Sequence, residues 1–155
     1  MTTRILIVDD HEIVREGLRS HLAKARPDWE ICGEATDGQQ AIEFARELKP
    51  DVLILDITMP RMSGLEASSR MRKLGITIPI LIFTTHDSER LATEVRNAGA
   101  QGYVLKSQAV RHLVHAIDAI LAGGTFFGGP PKTEPAGGDK PNPGIVFCCG
   151  FGFAT

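Results

Sequence analysis

The sequence predicts an α/β protein in which a parallel sheet carries helices on both faces. Two observations predict it. First, four short apolar runs, Arg4–Val8, Val52–Leu55, Ile78–Phe83 and Gly102–Leu105, are separated by helix-length amphipathic segments. Parallel strands joined by crossover helices produce that alternation. Second, each run stops at a residue suited to phosphoryl or metal chemistry: Asp9-Asp10, Asp56, Thr84 and Lys106 respectively. In a parallel sheet the carboxyl ends of the strands share one edge, where ligands bind. Three carboxylates, a hydroxyl and an ammonium are therefore expected to converge from distant positions.

The elements follow in order. A helix is expected from about His11 to Arg26, with Ile13, Val14, Gly17, Leu18, His21 and Leu22 on one face. Pro27 and Asp28 break it, and Trp29–Ala35 reads as a second strand. Asp37-Gly38 turns the chain into a helix carrying Ala41, Ile42, Ala45 and Leu48, which Lys49-Pro50 ends. After the strand that reaches Asp56, Ser63 or Gly64 opens a third helix with Leu65, Met71 and Leu74 inward. Asp87 or Ser88 is the expected N-cap of a fourth helix that stops at Gly99. A fifth runs from about Gln108 to Leu121, with Val110, Leu113, Val114, Ile117 and Leu121 at helical spacing.

A chain of 155 residues suits one domain, and its net charge of −2 provides no basic field for nucleic acid or membrane. No apolar stretch approaches the roughly 18–20 residues of a membrane span. The first strand begins almost at once after Met1, which leaves no room for a signal peptide. Cys32, Cys148 and Cys149 form neither a disulfide framework nor paired zinc spacing, so a reducing cytoplasm is expected. Residues 123–155 hold nine of the 16 glycines and five of the 9 prolines, and no periodicity survives there. The expected division is therefore a domain over 1–122 and a Gly/Pro-rich tail over 123–155.

The site chemistry follows from residue type. Magnesium takes oxygen ligands in octahedral geometry, commonly carboxylates, waters and a phosphate. Asp9, Asp10 and Asp56 suit it and suit zinc or iron poorly. A carboxylate can also attack phosphorus to form an aspartyl phosphate. The charge that spreads in such a transfer needs a cation and donors, which the metal, Lys106 and Thr84 would supply.

These residues resemble the response-regulator receiver domain of two-component signalling over roughly residues 3–122. The resemblance rests on Ile5-Leu6-Ile7-Val8-Asp9-Asp10, Asp51-Val52-Leu53-Ile54-Leu55-Asp56-Ile57-Thr58-Met59-Pro60, Ser63-Gly64, Thr84 and Gly99-Ala100-Gln101-Gly102-Tyr103-Val104-Leu105-Lys106. It implies a flavodoxin-like (βα)5 doubly wound sheet in order 2-1-3-4-5, with helices one and five on one face and two, three and four on the other. It implies Asp56 as phospho-acceptor, and Mg2+ on Asp9, Asp10, Asp56 and the Thr58 carbonyl. Thr84 and Lys106 would contact the phosphoryl group, and Tyr103 would be the aromatic switch. The implied partners are a sensor histidine kinase and a second copy meeting through helix faces, with no direct DNA binding by this chain and no membrane. Such a receiver catalyses only its own phosphorylation and dephosphorylation. His11-Glu12-Ile13-Val14-Arg15-Glu16-Gly17-Leu18 is most similar to the NarL/FixJ subfamily, which usually carries a C-terminal helix-turn-helix. Only 34 residues follow Leu121, and their text cannot form that module.

Competing readings stand beside each residue. Asp9-Asp10 by itself reads as a helix N-cap, and Asp56 as a turn residue at a strand end. Thr85 adjoins Thr84, which leaves that strand end open by one residue. Lys106 has an ordinary surface reading, and Tyr103 is either a switch or a half-buried strand aromatic. His112 and His115 sit off the apolar stripe and read as a solvated face ahead of a metal pair; His21 reads as packing. His11 and His86 flank the acidic edge, with tuning of phosphoryl-group lifetime and a passive role both open. Cys148-Cys149 lacks neighbouring ligands in sequence. A magnesium phosphohydrolase is the enzymatic alternative, but Thr58 stands where its acid/base Asp belongs. A flavin binder would need a phosphate loop after the first strand, and that loop is acidic. A stand-alone receiver acting by protein contact is the further alternative.

Overall fold

The computed structural model describes residues 2–85 and 88–127. The chain runs β1 (Thr3–Val8), α1 (Glu12–Ala25), β2 (Trp29–Ala35), α2 (Gly38–Leu48), β3 (Val52–Asp56) and α3 (Gly64–Lys73). It continues through β4 (Ile80–Thr84), α4 (Leu91–Asn97), β5 (Gly102–Leu105), a 3-10 turn (Lys106–Gln108), α5 (Ala109–Leu121) and β6 (Phe126–Phe127). The sheet has the order β2-β1-β3-β4-β5-β6, and every pair is parallel. The expected doubly wound, flavodoxin-like order 2-1-3-4-5 is therefore present, extended by one short strand.

Strand alternation sends side chains to two cores. Leu6, Val8, Leu53, Leu55, Ile80 and Ile82 pack with Ala41, Ala67, Met71, Leu91 and Val95, which come from α2, α3 and α4. Ile5, Ile7, Ile54, Leu81, Phe83 and Val104 pack with Leu18, Leu22, Leu113 and Ile117, from α1 and α5. β1, β3 and β4 are covered on both faces, which is why their apolar runs are nearly continuous.

Local signals set the helix boundaries. The Asp37 side chain accepts from the Gln40 N–H at the start of α2, and Ser63 Oγ accepts from the Glu66 N–H at the start of α3. Lys49 takes a left-handed conformation (φ 48°) ahead of Pro50, and Gly99 does so (φ 83°) after α4.

Four expectations are corrected. Ile13 is 81% exposed and Gly17 is exposed, although helical spacing puts both on one face with Leu18 and Leu22. Arg15 and Arg19, four residues apart, both pair with Glu34 of β2, which turns the Ile13–Gly17 edge toward solvent. Leu74 is 50% exposed because it caps α3 instead of lying within it. α4 begins at Leu91 with Arg90 as N-cap, later than Ser88, whose carbonyl accepts from the Leu91 N–H; Asp87 lies outside the described residues. Finally, Phe126-Phe127 leaves the tail and joins the sheet, a strand too short to show any period. Residues 128–155, including Cys148 and Cys149, lie outside the described residues.

Candidate functional site

The edge formed by the carboxyl ends of β1, β3, β4 and β5 gathers the expected side chains. Asp9 and Asp10 follow β1 directly, and Asp56 ends the central strand β3. Lys106 follows β5 at the first residue of the 3-10 turn. The Lys106 ammonium lies 2.9 Å from Asp9 Oδ2 and 3.4 Å from Asp56 Oδ1. Asp9 is 1% exposed and Asp56 4%, so both carboxylates are buried against one cation, with Asp10 at the solvent rim. Lys106 is mostly buried as well, which removes its ordinary surface reading.

Burial raises the pKa of Asp56, and the Asp9 carboxylate raises it further. Lys106 and a backbone hydrogen bond from Thr58 act in the opposite direction. Thr84 terminates β4 and is 2% exposed, whereas Thr85 lies beyond the strand and is exposed. Tyr103 is not in the carboxylate cluster. On β5 it pairs in register with Ile82 of β4, is 8% exposed, and meets Phe127 edge-on at 6.1 Å between ring centroids. By strand alternation Thr84 and Tyr103 project to the same face of the sheet.

Close packing holds the loop after β3. A Cβ on Gly64 would fall 2.0 Å from the Asp56 carbonyl oxygen, and the Gly64 N–H donates to the Ile57 carbonyl at 2.8 Å. Only glycine lets the start of α3 approach the strand end so closely. Two positioning residues escaped the sequence reading. Arg61, at φ 69°, places its guanidinium 2.7 Å from Asp37 Oδ2 and so fastens the Thr58 loop to the start of α2. Arg15 donates to the Asp9 carbonyl at 2.6 Å and to Glu34 at 2.8 Å. Arginine has no preference for the left-handed region, so nothing marked Arg61; the Arg15–Arg19 spacing was the available signal for the second.

The cap reading of the acidic pair is not met: His11 is the N-cap of α1, and Asp9 Oδ1 accepts from the His11 N–H at 2.8 Å in the turn that precedes the helix. That leaves Asp9 Oδ2, which has the Lys106 ion pair but no well-directed hydrogen bond. Potential ligand atoms of Asp9, Asp10, His11 and Asp56 all lie within 4.8 Å of one another. Hard oxygens predominate, and one buried oxygen lacks a directed donor; the set fits a divalent cation. His112 and His115 form no such group among the described residues; their rings lie 6.1 and 6.4 Å from that of Phe126. His21 is half-buried in α1, and His86 lies outside the described residues.

Fold and site together define a doubly wound α/β protein with an acidic pocket and a buried lysine at one sheet edge. Residues 5–118 match the family model described as the response regulator receiver domain. The chain belongs to that family. It is 42% identical over 120 residues to the transcriptional regulatory protein YdfI of Bacillus subtilis, covering 77% of this chain and 55% of the relative. It is 32% identical over 140 residues to the putative positive transcription regulator of virulence factors BvgA of Bordetella pertussis, covering 90% and 66%. A crystal structure of a two-component response regulator of the LuxR family from Aurantimonas sp. superposes with a TM-score of 0.76 at 44% identity, covering 81% of this chain and 89% of that one. The chain thus spans between about half and two-thirds of the length of these curated relatives. Among the described residues no helix is long and apolar enough to cross a membrane.

Proposed function

We propose that this receiver accepts a phosphoryl group on Asp56 from a sensor histidine kinase in a Mg2+-dependent reaction. The observation that carries the proposal is the Asp56 carboxylate, buried at the end of the central strand beside Asp9 and the Lys106 ammonium that bridges them. An Asp56 oxygen attacks phosphorus, the phosphorus–nitrogen bond of the donor phosphohistidine breaks, and the donor imidazole leaves with the electron pair. Asp56 then carries an acyl phosphate. Asp9, Asp10, Asp56 and the Thr58 carbonyl would hold Mg2+, which would supply positive charge for the transferring oxygens. Lys106 adds a second cation there, and the Thr84 hydroxyl donates to a phosphoryl oxygen. Hydrolysis of the acyl phosphate at the same site makes the protein its own phosphatase and not a turnover enzyme.

Thr84 drawn toward the phosphoryl group would favour the inward Tyr103 ring on the same sheet face. That ring is already inward in this structure, so phosphorylation acts by raising the population of this arrangement. The responding surface is α4, β5 and α5. We assign 1–122 to the phospho-acceptor unit and 123–155 to a C-terminal segment that begins by docking β6. The output is transcription in a longer regulator, as the names of the relatives suggest; pairing of receivers by their helix faces and a cytoplasmic location complete the reading. The test is intact-mass spectrometry after treatment with acetyl phosphate and magnesium. One phosphoryl group should be gained by the wild type and none by Asp56→Asn; an equal gain in the variant would assign the acceptor elsewhere.

A further inference from the structure

We propose that His11 is a metal ligand of the acidic pocket and shifts its preference from Mg2+ toward first-row transition-metal ions such as Mn2+. The inference rests on the metal reading of Asp9, Asp10 and Asp56 given above. His11 Nδ1 lies 3.0 Å from Asp10 Oδ1 and 3.2 Å from Asp9 Oδ1. In an octahedron with bonds of about 2.1 Å, adjacent ligand atoms stand about 3.0 Å apart. The two separations from the imidazole nitrogen therefore match two edges of such an octahedron, with all the donor atoms within 4.8 Å of one another. With the proton on Nδ1 the same contact is a hydrogen bond to Asp9.

The backbone places His11 beside the carboxylates and leaves its ring free to turn. The His11 N–H is bound to Asp9 Oδ1, and His11 is the N-cap of α1 without using its side chain as a cap. Its ring is 65% exposed, so it can turn a nitrogen lone pair to an ion without losing any packing. With the proton on Nε2, Nδ1 is a borderline-soft donor. Carboxylate and carbonyl oxygens suit Mg2+ and Mn2+ alike, so a nitrogen ligand is what would separate them: Mg2+ takes oxygen, whereas a transition-metal ion gains from an imidazole. A three-carboxylate pocket with one imidazole on its rim discriminates differently from an all-oxygen pocket. The receiver would then be loaded by Mn2+ at lower free concentration than its carboxylates alone require.

The test uses Mn2+ itself on the full chain. Electron spin-echo modulation of bound Mn2+ should show a directly coordinated imidazole nitrogen in the wild type and lose it in both His11→Phe and His11→Gln. Calorimetric titration should show the affinity for Mn2+ falling by about tenfold in both variants, while that for Mg2+ changes by less than about twofold. Circular dichroism melts confirm that the variants are folded. A nitrogen signal that persists in His11→Phe, an absent signal in the wild type, or equal losses for both metals would overturn the role of His11 alone. Mn2+ that fails to bind the wild type, or binds Asp9→Asn and Asp56→Asn as well as it binds the wild type, would overturn the metal reading and this inference with it.

Discussion

Asp56 pays for its position: burial and the neighbouring Asp9 both favour its protonated form, and Lys106 only partly opposes them. Its folded pKa lies above its unfolded one. The stability linked to its proton is fully present below the unfolded pKa and is lost as pH rises through the folded value. At neutral pH the ionised group is thus a net cost, and Asp56→Asn should raise the melting temperature in EDTA. Repulsion of this kind is worth about 1–2 kcal/mol at an effective dielectric near 20. The gain should shrink as pH falls through the folded pKa, where wild-type Asp56 becomes neutral too. Magnesium should stabilise the variant less than the wild type, because it binds the folded state through a ligand the variant lacks. Paired melts with EDTA and with millimolar magnesium, across pH, check both signs; a variant less stable in EDTA at neutral pH would refute the crowding. Asp9, Asp56 and Lys106 were legible in sequence because each ends an apolar run. Arg15 and Arg61 were not, since their importance lies in which carbonyl or carboxylate they reach.

Among the elements, β6 was hidden from pattern reading and is well integrated in the fold. Its two residues straddle the sheet: Phe126 enters the core shared with α5, and Phe127 covers the Tyr103 face. A Cβ on Gly102 would fall 1.9 Å from the Phe126 carbonyl oxygen, so β5 begins with a glycine where β6 presses closest. Arg96 of α4 stacks 4.2 Å above the Phe127 ring. Phe126→Ala should destabilise by about 3 kcal/mol, the lower end for a buried phenylalanine. Phe127→Ala should cost nearer 1 kcal/mol, mostly its ring contacts with Tyr103 and Arg96. Urea unfolding of both variants checks the order; equal and negligible losses would show that β6 does not belong to the cooperative unit. α1 teaches the complementary lesson. Its apolar period was correct, but the period does not say which edge of the stripe faces the sheet. Burial of Leu18 and Leu22 in the core made that choice, with Arg15 and Arg19 reaching Glu34 of β2 alongside.

For the whole molecule, every described element is used by one sheet and the helices that cover it, and the net charge is −2. We therefore expect no sequence-selective DNA binding by this chain. Fluorescence anisotropy titrations at several salt concentrations should show none, and salt-dependent binding that discriminates between sequences would contradict the expectation. What the sequence determined by itself was the alternation of strands and helices and the residue at each strand end. Both follow from local chemistry: apolar periodicity, caps at Asp37 and Ser63, and breaks at Lys49-Pro50 and Gly99. Tertiary structure alone decided that Thr84 and not Thr85 is buried, that α1 turns Ile13 outward, and that Phe126-Phe127 closes the sheet beside β5. It also decided that Lys106 bridges Asp9 and Asp56. Each of these depends on a neighbour distant in sequence, and the side-chain pattern of a segment carries no record of the partner against which it packs.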